Sequence, residues 1–101
     1  MEFEVHQDDH GTVIRLIGRL TFDDHQKFRA VNALAGSAPS RRLVLDLSGL
    51  EFIDSAGLGM LVVFKDLASR TQTPVFQTGA RGVVGKLMDL IRFGAVIEPL
   101  H

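Results

Sequence analysis

The chain has 101 residues, of which 46% are hydrophobic and 23% are charged, and its formal net charge is −1. These values predict one compact globular domain over residues 1–101, and they exclude a disordered chain and a protein that binds nucleic acid through a strong positive field. The chain has no cysteine, no apolar run near the ~20 residues of a membrane span and no signal-peptide pattern, so we expect a cytoplasmic protein without disulfides, thiolate metal sites or a membrane span.

The first residues predict a β-hairpin. Apolar and polar residues alternate over 3–6 and again over 12–17, which is typical of half-buried strands. The cluster DDHG at 8–11 between them is typical of a turn, in which Gly11 can take a positive φ angle. We therefore expect two antiparallel strands joined by this turn.

A helix follows the hairpin. Thr21 and Asp24 have the spacing of a capping box, in which Asp replaces the usual Glu. Apolar residues at helical spacing then share one face, which comprises Phe28, Val31 and Ala35. Gly36 is predicted to end the helix, and residues 37–40 are predicted to form a loop.

The second half of the chain alternates strands with helices. A nearly continuous apolar run at 43–47 fits a central strand that is covered on both faces. We expect a helix over about 55–70, a short strand at 75–78, a last helix closed by Gly94 and an edge strand at 96–97. The last helix is marked by apolar residues at i, i+3, i+4 and i+7, namely Val84, Leu87, Met88 and Ile91. The sequence thus predicts an α/β fold in the order ββαβαβαβ, with a mixed, mostly parallel sheet and right-handed crossovers.

The segment at 54–59, DSAGLG, leads from a buried strand, through a short loop, into the long helix. Proteins of the α/β class usually place function at this end of a parallel strand. Asp54 or Ser55 is expected to supply the N-cap oxygen. Gly57 and Gly59 each cost about 1 kcal/mol relative to Ala within a helix, and they allow another surface to approach the backbone closely.

A helical-wheel projection divides this helix into two faces. At about 100° per residue, the residues predicted to be buried against the sheet are Met60, Val63, Phe64, Leu67 and Ala68. The opposite face comprises Ser55, Leu58, Gly59, Val62, Lys65, Asp66 and Ser69. Leu58 and Val62 are thus apolar residues beside a serine on an accessible face, which favours a docking surface.

Residues 52–59, FIDSAGLG, after the strand sequence LDLS at 45–48, resemble the signature of STAS domains, named for sulfate transporters and anti-sigma factor antagonists. Residues 13–20 are similar to the second strand of that family and the turn after it, and 85–99 resemble its last helix and terminal strand. The likeness extends over essentially the whole chain and implies a single STAS-like domain.

The resemblance implies an anti-sigma factor antagonist rather than an enzyme, with no cofactor and no metal. In bacterial antagonists of this family, the serine that matches Ser55 is phosphorylated by an anti-sigma factor that is also a serine kinase of the histidine-kinase-like ATPase type. The unphosphorylated form binds that factor and frees a sigma factor, so transcription is regulated indirectly, and a serine phosphatase resets the switch. The resemblance thus makes Ser55 the expected phosphoacceptor.

The expected partner contacts surround that serine. They are Thr21, Asp23, Asp54, Gly57, Leu58, Gly59, Val62 and Lys65. A phosphate on Ser55 would add about −1.5 to −2 charges at a helix N-terminus, which the domain itself tolerates, but it would repel a partner beside Asp54. Thr21 stands where the family often has Asp, and Asp23 and Asp24 follow slightly later.

Two other interpretations stand beside this one. Ser55 can be a plain N-cap, in a non-phosphorylated STAS scaffold subunit of a transporter or signalling complex, which Thr21 favours. A hydrolase that uses Ser55 is disfavoured, because Ile53 stands where a nucleophile elbow has Gly. The four histidines have no metal-ligand spacing, and Asp46 is expected to anchor the loop after its strand by hydrogen bonds.

Overall fold

The computed structural model describes residues 1–36 and 41–100, so the predicted loop at 37–40 lies outside the described residues. Within these ranges five strands form one sheet in the order β1-β2-β3-β4-β5. The strands are β1 (Glu2–Asp8), β2 (Gly11–Leu20), β3 (Leu43–Ile53), β4 (Val75–Thr78) and β5 (Glu98–Pro99). The helices are α1 (His25–Gly36), α2 (Ser55–Arg70) and α3 (Gly82–Leu90), with short 3₁₀ helices at Phe22–Asp24 and Phe93–Ala95. The predicted order ββαβαβαβ is confirmed.

β1 and β2 form the predicted hairpin, in which they pair antiparallel and Asp8 lies opposite Gly11. The Asp8 carboxylate accepts hydrogen bonds from the backbone N–H groups of His10 and Gly11, at 2.7 and 3.2 Å. Gly11 has the expected positive φ angle, +139°, and a Cβ atom there would lie 2.3 Å from the carbonyl oxygen of Arg42. The turn thus requires glycine both for its backbone angle and for the close approach of the segment before β3.

The strands after the hairpin are parallel, since β2 pairs with β3, β3 with β4 and β4 with β5 in the same direction. Right-handed crossovers between strands added in one direction place each connecting helix on the same face of the sheet. The buried residues of α1, α2 and α3 accordingly join one core with the sheet residues Ile14, Leu45 and Leu47. Phe28 of α1 and Phe64 of α2 meet edge to face within it, with ring centroids 6.5 Å apart.

None of the described helices covers the opposite face of the sheet. Val44 and Asp46 of β3 lie on it, and the Asp46 carboxylate accepts a hydrogen bond at 3.0 Å from the N–H of Ser48, which belongs to the strand and not to the loop that Asp46 was expected to anchor. Val44 is only 2% exposed, because Val13 and Phe76 flank it in the strand register. The expectation that β3 is covered on both faces is therefore corrected, since helices cover one face and neighbouring strands shield Val44 on the other.

β3 is longer than predicted, because it continues beyond the apolar run to Ile53. The residues expected to form a short loop before α2 pair with β2 instead. The pairing register shifts between Arg15 and Ile17 and again after Gly18. Such irregularities bend a strand and redirect its side chains, which explains why the apolar pattern of a strand is interrupted here.

α3 is shorter than predicted, because Ile91 is its C-cap and is 45% exposed rather than part of its buried face. Arg92 takes a left-handed conformation, with φ at 53°, that turns the chain away from the helix. The turn brings Phe93, which is 2% exposed, into the core. The last strand therefore starts later than predicted, at Glu98–Pro99 rather than at 96–97.

The buried face of α2 is rotated from its predicted position. Its buried residues are Gly57, Met60, Leu61, Phe64 and Ala68. Val63 is 50% exposed, so the prediction that it is buried is wrong, and the missed core residue is Leu61. On one side of the helix the Lys65 ammonium donates to the carbonyl oxygen of Val96, which itself packs against the core. Leu61 lies one turn before Lys65, so the buried face of α2 includes the side that faces Val96 and not only the side that faces the sheet.

Leu61 and Val63 form a matched test of this helix orientation. Leu61→Ala is expected to lower the free energy of unfolding by about 2–5 kcal/mol, because it removes a fully buried side chain and leaves a cavity. Val63→Ala is expected to change it by less than about 1 kcal/mol, because half of the side chain is already in water. Urea denaturation followed by circular dichroism measures both values, and equal losses at the two positions would contradict the orientation.

Candidate functional site

The connection between β3 and α2 is a single residue, Asp54. Its carboxylate caps the helix, since Oδ1 accepts a hydrogen bond from the backbone N–H of Gly57 at 2.7 Å. Ser55 is therefore the first helical residue, and its side chain is exposed. The N-cap oxygen expected from Asp54 or Ser55 belongs to Asp54.

The same carboxylate ties the helix to a second segment. Its other oxygen, Oδ2, accepts a hydrogen bond at 3.1 Å from the backbone N–H of Phe22, which follows β2. The backbone N–H of Asp54 donates to the carbonyl oxygen of Leu20 at 3.2 Å. The start of α2 and the end of β2 are thus joined through both the backbone and the side chain of one aspartate.

Gly57 lies in a close contact between these two segments. It is buried, and a Cβ atom on it would lie 2.4 Å from the Leu20 carbonyl oxygen and 2.8 Å from a side-chain carbon of Ile53. The surface that approaches this glycine is the chain's own, which corrects the expectation that Gly57 faces a partner. Gly59 differs, since it is exposed and has no described atom within 4 Å of its Cβ position.

The predicted capping box is confirmed at the start of the connection between β2 and α1. Thr21 donates its backbone N–H to Asp24 Oδ2 at 2.8 Å, and Asp24 donates its own N–H to the Thr21 carbonyl oxygen at 2.9 Å. Asp24 is buried and also accepts a bond from the Met1 amino group at 3.0 Å. Burial raises the pKa of this carboxyl, but the hydrogen bonds outweigh burial and hold the pKa below its ordinary value.

Phe22 is a site residue that the sequence patterns did not identify. It is 69% exposed, and its ring meets the His25 ring edge to face, with centroids 5.0 Å apart. Of the seven phenylalanines in the chain, it alone is exposed. A sequence signal exists, since an aromatic residue stands between Thr21 and Asp23, outside the apolar spacing of α1.

The outer face of α2 carries part of the predicted contact set beside Ser55. Gly59 and Val62, which is 44% exposed, follow Ser55 along this face. Leu58 is half-buried and packs against the core. The exposed apolar pair of the helix is therefore Val62 and Val63, rather than the expected Leu58 and Val62.

Lys65 lies almost three turns along α2 from the serine. Its ammonium is bonded to the Val96 carbonyl oxygen, and at a rise of about 1.5 Å per residue it lies about 15 Å along the helix from Ser55. The structure therefore does not bring Lys65 to the serine. Thr21 is half-buried within its turn, whereas Asp23 is exposed on the adjoining 3₁₀ helix.

Residues 3–98 of the chain match the family model described as "Mlab, STAS domain". The chain belongs to the STAS domain family. A STAS-domain containing protein of Pseudomonas aeruginosa (strain UCBPP-PA14) is 30% identical to it over 86 residues, which are 85% of this chain and 84% of that protein.

Solved structures share the fold of this STAS domain. The anti-sigma factor antagonist SpoIIAA in its unphosphorylated form has a TM-score of 0.71 at 17% identity, covering 99% of this chain and 90% of that one. An anti-sigma factor antagonist from Mycobacterium paratuberculosis has a TM-score of 0.76 at 21% identity, covering 97% and 83%. The Bacillus cell fate determinant SpoIIAA in its phosphorylated form has a TM-score of 0.68 at 18% identity, covering 99% and 92%. The family and the fold predicted from the sequence are thus confirmed.

Among the described residues, the site contains no group of side chains that could hold a metal ion, and no histidine is hydrogen-bonded to Ser55. Within residues 1–36 and 41–100, no group of three or more His, Cys, Asp or Glu side chains could hold a metal ion. His25 directs Nδ1 at the Phe22 carbonyl oxygen, 2.7 Å away, and no described histidine is bonded to Ser55. This STAS domain presents Ser55 as an exposed hydroxyl on the first residue of α2. Of the described helices, none is both long and apolar enough to cross a membrane.

Alanine substitutions at Gly57 and Gly59 are expected to change the free energy of unfolding in opposite directions, although both residues lie in α2. Gly57→Ala is expected to destabilise the STAS domain by about 1–3 kcal/mol, because the added Cβ would meet backbone atoms that cannot move aside cheaply. Gly59→Ala is expected to stabilise it by about 0.5–1 kcal/mol, because the position is open and alanine loses less backbone entropy in a helix. Chemical denaturation of the two variants measures the difference. A neutral Gly57→Ala or a destabilised Gly59→Ala would contradict this geometry.

Proposed function

We propose that this STAS domain is an anti-sigma factor antagonist, with Ser55 as the phosphoacceptor of an anti-sigma factor that is also a serine kinase of the histidine-kinase-like ATPase type. The unphosphorylated form binds that factor, phosphorylation releases it, and a serine phosphatase restores binding. The observation that carries the proposal is that Asp54 caps the helix while the next residue, Ser55, presents an exposed hydroxyl to a partner. Because Asp54 caps α2, the fold does not need the exposed Ser55 hydroxyl as a cap, and the hydroxyl is available for modification.

A phosphate on Ser55 is compatible with the fold. It adds about −1.5 to −2 charges at the first residue of α2, where the helix dipole and the N–H groups favour an anion. The same charge lies beside the Asp54 carboxylate on an outward face. A partner that fits the unphosphorylated surface then meets repulsion and a charged group that it must desolvate. The domain stays folded while the contact is lost, which is the property required of a switch.

The outer face of α2 supplies the rest of the proposed contact. Gly59 follows Ser55 by about one turn, and the absence of a side chain there allows a partner to approach the helix closely. Val62 and Val63 are 44% and 50% exposed, so they add apolar area to the same face. Asp23 is exposed on the adjoining 3₁₀ helix and extends the surface beyond α2.

A second candidate function is a non-phosphorylated STAS scaffold subunit of a transporter or signalling complex. Thr21 favours it, because this residue replaces the Asp expected at the partner-facing turn and its backbone serves the capping box of that turn. In such a subunit Ser55 stays unmodified. Mass spectrometry of the protein from its native cells, in growth and under stress, separates the two candidates, since the switch requires a phosphorylated Ser55 peptide.

Ser55→Asp is expected to weaken binding to the kinase at least about 10-fold, because it brings a like charge to a contact that already contains a carboxylate. Its thermal midpoint is expected to stay near that of the wild type, since the residue is exposed. Ser55→Ala is expected to bind the kinase but not to be released by ATP. The kinase is purified from a native-cell extract by following the activity that phosphorylates the wild type on Ser55. Calorimetric titration then measures the affinity of each variant for this kinase, with and without ATP.

Ser69→Asp is the matched control for this experiment. Ser69 is exposed on the same helix, about 21 Å from Ser55 along the axis, so the variant adds the same charge outside the contact. Its affinity for the kinase is expected to equal that of the wild type. A Ser55→Asp variant that binds as tightly as the wild type, or an extract that never labels Ser55, would overturn the proposal.

A further inference from the structure

We propose that Phe22 is an anchor of the kinase contact, which enters an apolar pocket of the partner, and that Asp54 is the positioning residue that holds it beside Ser55. This inference rests on the proposed function, because it names a further part of the surface at which the kinase binds. Three features carry it: the exposure of the ring, the bonds that fix it, and the charges around it.

The Phe22 ring is an aromatic side chain that the core does not use. It is 69% exposed, whereas the other six phenylalanines are buried or half-buried. An exposed aromatic ring gains from burial, and aromatic residues are enriched in the cores of protein interfaces. The ring is therefore suited to a partner rather than to the fold.

The backbone of Phe22 is held in place before any partner binds. Its N–H donates to Asp54 Oδ2 at 3.1 Å, and its carbonyl oxygen lies 2.7 Å from Nδ1 of His25. The rings of Phe22 and His25 also meet edge to face, with centroids 5.0 Å apart. A segment that is ordered in advance loses less conformational entropy on binding, so it serves as an anchor better than a free surface residue does.

Asp54 joins this anchor to the phosphoacceptor. Its two carboxylate oxygens accept the N–H of Gly57, in the first turn of α2, and the N–H of Phe22, in the 3₁₀ helix. Ser55 is the next residue in the chain, so a phosphate on it lies beside the carboxylate that fixes Phe22. Repulsion between the two anions acts on the helix surface and on the anchor at once. Phosphorylation thus weakens both halves of the contact.

The charges around Phe22 define the pocket that fits it. Asp23 is exposed next to it and Asp54 is bonded to its backbone, while the nearest basic residues along the chain are held elsewhere, Arg19 over the Phe52 ring and Lys27 against Glu2. A pocket that accepts the ring is apolar inside and carries basic side chains at its rim, opposite these carboxylates. The partner is thus a kinase whose docking site combines an apolar pocket with a basic edge.

Initial rates of phosphorylation test the anchor. A native-cell extract with ATP supplies the kinase, and the rate of Ser55 phosphorylation is measured against the concentration of the STAS domain. Phe22→Ala is expected to raise the KM at least about 10-fold with little change in the maximal rate, because the ring contributes binding and not phosphoryl transfer. Phe22→Leu, which keeps apolar bulk, is expected to restore most of this loss. Leu90→Ala is the matched control and is expected to leave the KM unchanged, because Leu90 is 82% exposed on α3.

Asp54→Asn tests the positioning role. Asparagine keeps an oxygen for the N–H of Gly57 and is itself a good N-cap, but its amide nitrogen cannot accept the Phe22 N–H. Hydrogen exchange of the Phe22 amide, followed by NMR, is expected to accelerate at least about 10-fold while the Gly57 amide keeps its protection. The KM is expected to rise by less than in Phe22→Ala. An unchanged exchange rate at Phe22 would remove the positioning role.

The outcomes distinguish this inference from the proposed function. If the extract does not phosphorylate wild-type Ser55, the proposed function fails and the inference fails with it. If the wild type is phosphorylated and Phe22→Ala has the wild-type KM, the inference alone fails. If the wild type self-associates in sedimentation velocity and Phe22→Ala abolishes the association, a second copy of the chain covers the ring, and the inference is overturned in that case too.

Discussion

The contact between the start of α2 and the end of β2 is the constraint on which the site depends. Asp54 bonds to Phe22, 32 residues earlier in the chain, and to Gly57 in its own helix. Gly57 permits the approach, because any side chain there would meet the Leu20 carbonyl oxygen. One hydrogen bond does not offset the entropy of closing so long a loop, so the parallel pairing of β2 with β3 must hold the two segments together. The site therefore inherits its rigidity from the sheet.

The topology explains why the two segments meet at this place. β2 and β3 are neighbouring parallel strands, so they end at the same edge of the sheet. The 3₁₀ helix at Phe22–Asp24 follows one strand and Asp54 follows the other, and α1 and α2 then return across the same face. In this chain an aromatic residue and a serine, distant in sequence, are thus held at the same edge of the sheet without an additional loop or domain.

Sequence patterns predict those parts of the fold that local interactions decide. The bounds of α2, the hairpin turn and the capping box at Thr21 are predictable, because caps, turns and periodicity involve residues that are close in the chain. The orientation of α2 is not predictable in this way, since the burial of Leu61 and the exposure of Val63 depend on how the helix packs against α1, the sheet and the segment of Val96. The same holds at the site, where a helical glycine such as Gly57 signals a close approach, but only the tertiary structure shows that the approaching backbone is the chain's own.

Under the proposed function, Asp54 stabilises the helix as its cap, and the neighbouring Ser55 regulates partner binding through its phosphorylation. A serine that capped the helix would stabilise it by about 1 kcal/mol, and its phosphorylation would change the fold and the contact together. With the cap on the preceding residue, modification of Ser55 changes mainly the charge that a partner meets. The exposed residues Ser55, Phe22 and Val62 can therefore vary at little cost to folding, whereas Asp54 cannot, because it serves both the helix and the segment after β2. The choice of partner is thus set by the side chains around Asp54, on a frame that Asp54 itself holds in place.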